Sequence, residues 1–276
     1  MKTVNKKDAK DFDNPYKIAL VALLDDKKDI HITLMSTLMN KGDNKMMIGE
    51  FVIGDSKKFI YQNPNTGFLI MNTNKEFWTG KMKFTHFVID GDDYVHYNKM
   101  PLYRFNTYFG VNKVHYADLI DISERTKLDM GGVIGNAIKV SMFKGIMAGD
   151  KSKKILRPWA QKFLAKLDGL MYIAYIGEDG FPKIVPIIQG QSASSSRIVF
   201  TNKPYKNMLS DLKENMRVAI YGMSLKMEAV LVKGFYHKAI GDFGYVDIDT
   251  VYNPLPPKHG YVYPEIKQTA VEFDKE

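Results

Sequence analysis

The residue types best suited to binding chemistry cluster between Lys183 and Lys206. A strand-like run ends in Thr201-Asn202. It is followed at once by Lys203-Pro204-Tyr205-Lys206, read as the start of a short helix, and Lys183 lies on the strand before it. Pro204 suits a first helical turn, and Met208, Leu209 and Leu212 share one face at helical spacing. Free backbone N–H groups at a helix start attract an oxyanion. Lysines in the first turn add charge-assisted hydrogen bonds. In the first half of the chain, Asp55-Ser56-Lys57-Lys58-Phe59-Ile60 opens a second short helix of the same character. This is chemistry for holding an anion. No Ser-His-Asp pattern stands out, and Gly131-Gly132-Val133-Ile134-Gly135 has no strand before it to make a dinucleotide loop.

The rest of the composition narrows the field. There are no cysteines among the 276 residues, which excludes disulfides, thiolate metal sites and a thiol nucleophile. The histidines His31, His86, His96, His115, His237 and His259 show no ligand spacing, so no metal is expected. The net charge of +8 rests almost wholly on lysine. The arginines are Arg104, Arg125, Arg157, Arg197 and Arg217 alone, and without their planar forks specific nucleic-acid readout is not expected. No signal segment and no apolar run of about 20 residues is present, so the expectation is a cytoplasmic protein that does not span a membrane. The polar stretch 1–13 is expected to fray.

The elements that must position these residues come in two copies. The run Lys17–Asp26 parallels Leu170–Asp179, both apolar strands entering an acidic turn. Asp29–Leu34 parallels Phe181–Pro186, and Met46–Ile53 parallels Arg197–Thr201. After each short helix, Gly67–Met71 parallels Met216–Tyr221, and Lys81–Val88 parallels Ala229–Tyr236. The offset stays near 150 residues, the sign of a duplicated domain. Short β-branched and aromatic strands between turn residues read as small antiparallel barrels. The expected domains are a first barrel over 14–122, a helical linker over 123–168, and a second barrel with a C-terminal extension over 169–276. In the linker, Pro158 starts a helix with Trp159, Phe163, Leu164 and Leu167 on its apolar face, and Met130–Ala148 is expected to pack against protein. The loop Asn253–Gly260 is expected to lie ordered on the barrels.

The order of strand, strand, strand with Thr-Asn, basic helix and strand resembles the FMN-binding split barrels of the pyridoxamine 5′-phosphate oxidase and flavin reductase superfamily. The resemblance covers Leu167–His237, and the first copy is similar in weaker form to the flavin reductase branch. It implies a mainly β (α+β) chain of two split antiparallel barrels with short helices, packed as an intrachain pseudo-dimer with flavin in the groove between them. Lys183 matches the family's phosphate-binding arginine. Lys206 matches the basic residue of its helix start, with Asn207 the other candidate, and Thr201, Asn202 and Lys203 would meet the flavin. In the first copy Ser56, Lys57 and Lys58 would cradle a second phosphate, and His31 lies near the position of Lys183. The first copy would complete its partner's site through Trp78, Lys81, Tyr103 and Arg104, with Trp78 suited either to flavin stacking or to a barrel core. The implied activity is FMN-dependent oxidoreduction of a small molecule, with NAD(P)H as a possible donor. The alternatives are F420 in place of FMN, a haem-binding or haem-degrading barrel with His237 or His259 as ligand, and a non-catalytic flavin carrier. The C-terminal Arg-x-His pattern of true pyridoxamine-phosphate oxidases is absent. The chain would be a monomer with an internal pseudo-dimer, or a homodimer. No catalytic acid or base stands out, so the set is a binding set.

Overall fold

The structure, a computed structural model, describes residues 2–51, 59–106, 110–150, 152–255 and 260–264, with the backbone alone at 104–106. Ser56, Lys57, Lys58 and His259, together with the side chain of Arg104, lie outside the described residues.

The first copy contributes β1 (Ile18–Leu24), β2 (Ile30–Leu34), β3 (Met39–Gly42), β4 (Lys45–Glu50), β5 (Asn65–Met71), β6 (Glu76–Val88), β7 (Lys113–Ile122) and β8 (Thr126–Lys127). The second contributes β9 (Leu170–Ile176), β10 (Pro182–Pro186), β11 (Gln191–Ser194), β12 (Arg197–Thr201), β13 (Arg217–Met223), β14 (Ala229–Lys238), β15 (Phe243–Asn253) and β16 (Gly260–Tyr263). The sheets are antiparallel and share one order: β2-β1-β5-β6-β7-β4-β3 in the first, β10-β9-β13-β14-β15-β12-β11 in the second. Ile18 and Leu170, Ile30 and Pro182, Met39 and Gln191, Lys45 and Arg197, and Asn65 and Arg217 open matching strands, each pair 152 residues apart. The chain is a duplicated pair of barrels.

Burial explains why β1 and β9 read as unbroken apolar runs. Ala19, Val21 and Leu23 face the first barrel's interior with Phe68 and Ile70. Leu20 and Ala22 face the other way, into a core shared with the second copy. A strand covered on both faces needs no polar alternation. The barrels meet about a pseudo-twofold: β10 packs on β5 as β13 packs on β2, and β1 meets β10 as β9 meets β2. Gly67 marks the tightest approach, since a Cβ there would lie 2.0 Å from the Pro182 carbonyl oxygen.

Two expectations about the flanks are corrected. The N-terminal stretch does not fray. Helix α1 (Ala9–Asp13) drives Phe12, fully buried, edge-on against Phe68 and Trp78. Asp8 accepts from the Trp78 indole at 3.0 Å and from Arg125. The barrel end needs an apolar plug, and α1 supplies it. Within the first copy lie α2 (Asp92–Lys99) and α3 (Pro101–Asn106), and between the copies lie α4 (Met130–Phe143) and α5 (Pro158–Leu164). Helix α5 plugs the second barrel as α1 plugs the first: Leu164, 152 residues after Phe12, fills the space over Gly222. Its buried residues are Ala160, Phe163 and Leu164, whereas Trp159 and Leu167 are exposed, because the helix stops at Leu164 and meets the barrel through one short face. Helix α4 packs on the second barrel as expected, through Val133, Ala137 and Val140, with Gln191 donating to the Ala137 carbonyl.

The copies differ most before their last long strand. In the first, β6 and β7 are separated by α2 and α3. In the second, residues 239–242 alone join β14 to β15. Tyr97 and Tyr103 from this insertion donate to the carbonyls of Thr37 and Ser36 at 2.7 and 2.9 Å.

Candidate functional site

Two grooves of about 360 Å³ each lie between the copies and are related by the pseudo-twofold. Volumes of this order suit a small-molecule ligand.

The first groove is built around Lys183. The hairpin from β9 to β10 turns at Gly180, φ 78°, and carries Lys183 on its return strand opposite Tyr175. The lysine stem runs across Gly177, where a Cβ would lie 2.7 Å from Lys183 Cε, so this strand needs a glycine beside so long a side chain. Lys183 Nζ donates to Asp211. The same hairpin sends Asp179 across to the first copy, where it accepts from Lys81 on β6. Thr79, Ser123 and Asn207 supply hydroxyl and amide groups, and Ile122, Ile184, Val185 and Met208 supply apolar wall. Lys2 adds a cation paired to Asp121 at 2.7 Å. The hydrogen bond from Lys183 holds the Asp211 carboxyl below its usual range. At Asp179 burial pushes the carboxyl up, but the bond and charge of Lys81, the Phe181 N–H and the charge of Lys183 together hold it below its usual range.

The groove gathers part of the expected set. Lys183 and Lys81 line it together, across the interface, and Asn207 rather than Lys206 faces it. Lys206 is exposed. The helix expected to open at Lys203 and end before Asn215 is absent: residues 206–211 form successive turns. The Met208 carbonyl, which a helix would offer to the Leu212 N–H, instead accepts from the Tyr175 hydroxyl at 2.5 Å, and Leu212 N–H turns to Leu209. Among the described residues, no helix terminus aims at the groove from this side. Thr201 is fully buried and its hydroxyl donates to the Lys203 carbonyl, Asn202 N–H donates to Asp242, and Lys203 pairs with Asp242 at 3.3 Å. These three form a tied turn outside the groove lining. Trp78 is a core residue, fully buried with its N–H held by Asp8, because β6 turns it into the first barrel under α1. Tyr103 is likewise buried away from the groove.

The second groove has His31 where the first has Lys183, opposite Leu23 on β1, 152 residues earlier in each case. Phe59 stands in the place of Asp211, Tyr252 in that of Ser123, and Lys233 in that of Lys81. Asp25 occupies the position that is Gly177 in the other copy. The short imidazole leaves the room that the Lys183 stem takes up. Lys233 has no exposed surface and lies 3.2 Å from Asp25 and 3.1 Å from Asp29. Arg217 grips Asp29 with two bonds of 2.9 and 3.0 Å and also donates to Asp249. Burial raises the Asp29 carboxyl, but Arg217 and Lys233 together hold it below its usual range. Sequence reasoning missed this network. Its signal was Lys233 standing inside the apolar run Ala229-Val-Leu-Val-Lys, since lysine is almost never fully buried without a partner.

Among the histidines, His115 is buried between Glu50 and Tyr61, at 2.5 and 2.6 Å. His237 is held by Glu214 at 2.6 Å and stacks on Tyr245, and it lines neither groove. No helix of the described residues is long and apolar enough to cross a membrane.

No family model and no curated protein sequence matches the chain. Solved structures do. Group A Streptococcus HupZ is 14% identical, covers 44% of this chain and 92% of its own, and has a TM-score of 0.37. An FMN-binding protein from Syntrophomonas wolfei subsp. wolfei is 13% identical over 44% of this chain and 86% of its own, with a TM-score of 0.36. An F420 reductase is 11% identical over 44% and 98%, with a TM-score of 0.35. Each likeness sets one half of this chain against nearly the whole of another protein.

Proposed function

We propose that the chain binds flavin mononucleotide in the Lys183 groove and works by hydride or electron transfer on a small molecule. The observation that carries this reading is the convergence of Lys183 and Lys81, from different copies, on one groove that pairs a polar end with an apolar wall. Lys183, Lys81 and Asn207 would hold the phosphate, and Ile122, Ile184, Val185 and Met208 would face the ring. A bound flavin supplies the redox chemistry, while the protein binds it, orients it and sets its surroundings. Both lysines are already paired with carboxylates. Those pairs are partly solvated, so a phosphate dianion can exchange for Asp211 and Asp179 at small cost. NADH or NADPH as donor follows from the same resemblance.

Titration of the purified chain with FMN, read by flavin fluorescence, tests the reading. Saturable binding is expected, weakened about tenfold or more in Lys183→Ala, which removes one charge-assisted bond. Unchanged affinity in that variant would put the phosphate elsewhere. A sharp haem band in the purified protein, preference for F420, or rejection of all three cofactors would each overturn the FMN reading. Turnover with NADH or NADPH separates an enzyme from a flavin carrier.

A further inference from the structure

We propose that the His31 groove is a second binding site, for a small organic cation of the alkylammonium class. It stands on observations separate from those at Lys183 and does not depend on what that groove binds.

Four rings wall this groove: His31, Phe59, Tyr252 and Tyr261. Three of them meet at right angles. His31 and Tyr252 lie 4.8 Å apart at 90°, and Tyr252 and Tyr261 lie 5.3 Å apart at 89°. Aromatic faces carry negative potential, and several faces turned on one space attract an ammonium group, most of all one whose methyl groups make it poorly hydrated. Carboxylates complete the wall. The charge of Asp25 is taken up by Lys233 from beneath, while Asp26 is exposed at the mouth beside Lys27. The volume of about 360 Å³ accommodates a trimethylammonium head with a short chain.

The groove is as poorly made for an anion as its twin is well made for one. The lysine of the first groove is replaced by a histidine, the carboxylate partner of that lysine by Phe59, and the serine by Tyr252. Of the cations near it, Lys27 stands exposed on the rim beside Asp26, and Lys233 is committed to Asp25 and Asp29. Duplication has thus left two grooves of equal size and opposite preference.

Choline and its uncharged isostere 3,3-dimethylbutan-1-ol, titrated into the full chain and followed by ligand-observed NMR, test the site. Choline is expected to bind saturably and about tenfold more tightly than the isostere, the margin expected of a partly desolvated cation–π contact. Tyr261→Ala, on the short edge strand β16, should abolish that preference. Asp26→Asn, at an exposed position that does not bear on folding, should weaken choline severalfold. FMN affinity should be the same in both variants as in the parent. Equal affinity for choline and the isostere, absence of saturable choline binding, or choline binding unchanged in both Tyr261→Ala and Asp26→Asn would overturn the proposal.

Discussion

The Lys183 groove and the His31 groove are matching surfaces of the two copies, and they differ at most of the positions that carry charge, Lys81 and Lys233 being the lysine both keep. In one, lysines reach carboxylates across partly solvated gaps: Lys183 to Asp211, Lys81 to Asp179. In the other, Lys233 has sunk out of water altogether between Asp25 and Asp29, and Arg217 ties the outer carboxylate from the side. The difference teaches how one fold can bury an ion-paired cluster on one side of an interface and leave its counterpart within reach of water on the other. A fully buried ion pair depends on every partner being present, because removing one leaves an uncompensated charge in a medium of low polarity. A solvated pair can open and close with little change in free energy. The interface is clamped on one side and left exchangeable on the other.

The largest effect should come from breaking the clamp. Lys233→Met keeps the volume and removes the charge, leaving Asp25 buried without its cation. A loss of about 3–5 kcal/mol is expected, measured by urea unfolding. A loss under about 1 kcal/mol, the range of a solvated pair, would mean that the two sides are energetically alike, and the comparison would fail.

The tight seam between the barrels comes next. Gly67 of β5 has Ala219 as its counterpart on β13, 152 residues later. Ala219 carries its Cβ without cost, whereas a Cβ at Gly67 would strike the backbone of Pro182. Gly67→Ala should therefore cost about 1–3 kcal/mol, as overpacking does, in the same urea measurement. Because β10 carries Lys183, the same substitution should also weaken any ligand of that groove while sparing the other.

What was legible beforehand divides along the same line. The strand pairs, the duplication and the place of Lys183 could be read directly, because apolar runs and turn residues recur in step. Lys81 could be nominated from the family resemblance. The clamp could not be read, since Asp25 and Asp29 belong to what looks like an ordinary acidic turn and meet Lys233 and Arg217 only after both barrels have folded. The false helix after Thr201 has a tertiary cause: helical spacing of Met208, Leu209 and Leu212 was real, but Tyr175 from a distant strand binds the carbonyl that the helix would use. Phe12 and Leu164 were legible as apolar residues and not as matching plugs, because α1 lies in a stretch dominated by lysine and aspartate.

Acid should loosen the clamp. The folded carboxyl of Asp29 lies below its ordinary value, so the stability it contributes is present above the unfolded value of about 4 and is lost as pH falls through the lower folded value. Unfolding midpoints measured from about pH 7 down to about pH 3 should drop below about pH 4, and the drop should be shallower in Asp29→Asn. An identical acid limb in that variant would assign the loss to other carboxylates.

The smallest expected effect completes the contrast. Lys81 stands at the position of Lys233 in the other copy, yet 22% of its side chain is exposed, as is 42% of that of its partner Asp179. Lys81→Ala removes an interaction that water can replace on both sides, so a change of about 0–1 kcal/mol is expected in the same urea experiment. The two substitutions remove the same ammonium group from the same place in two copies of one fold, and only the environment differs. If Lys81→Ala leaves stability untouched while lowering FMN affinity, the lysine is held for a ligand. If it destabilises the chain as much as Lys233→Met, both lysines are clamps and the exchangeable side of the interface does not exist.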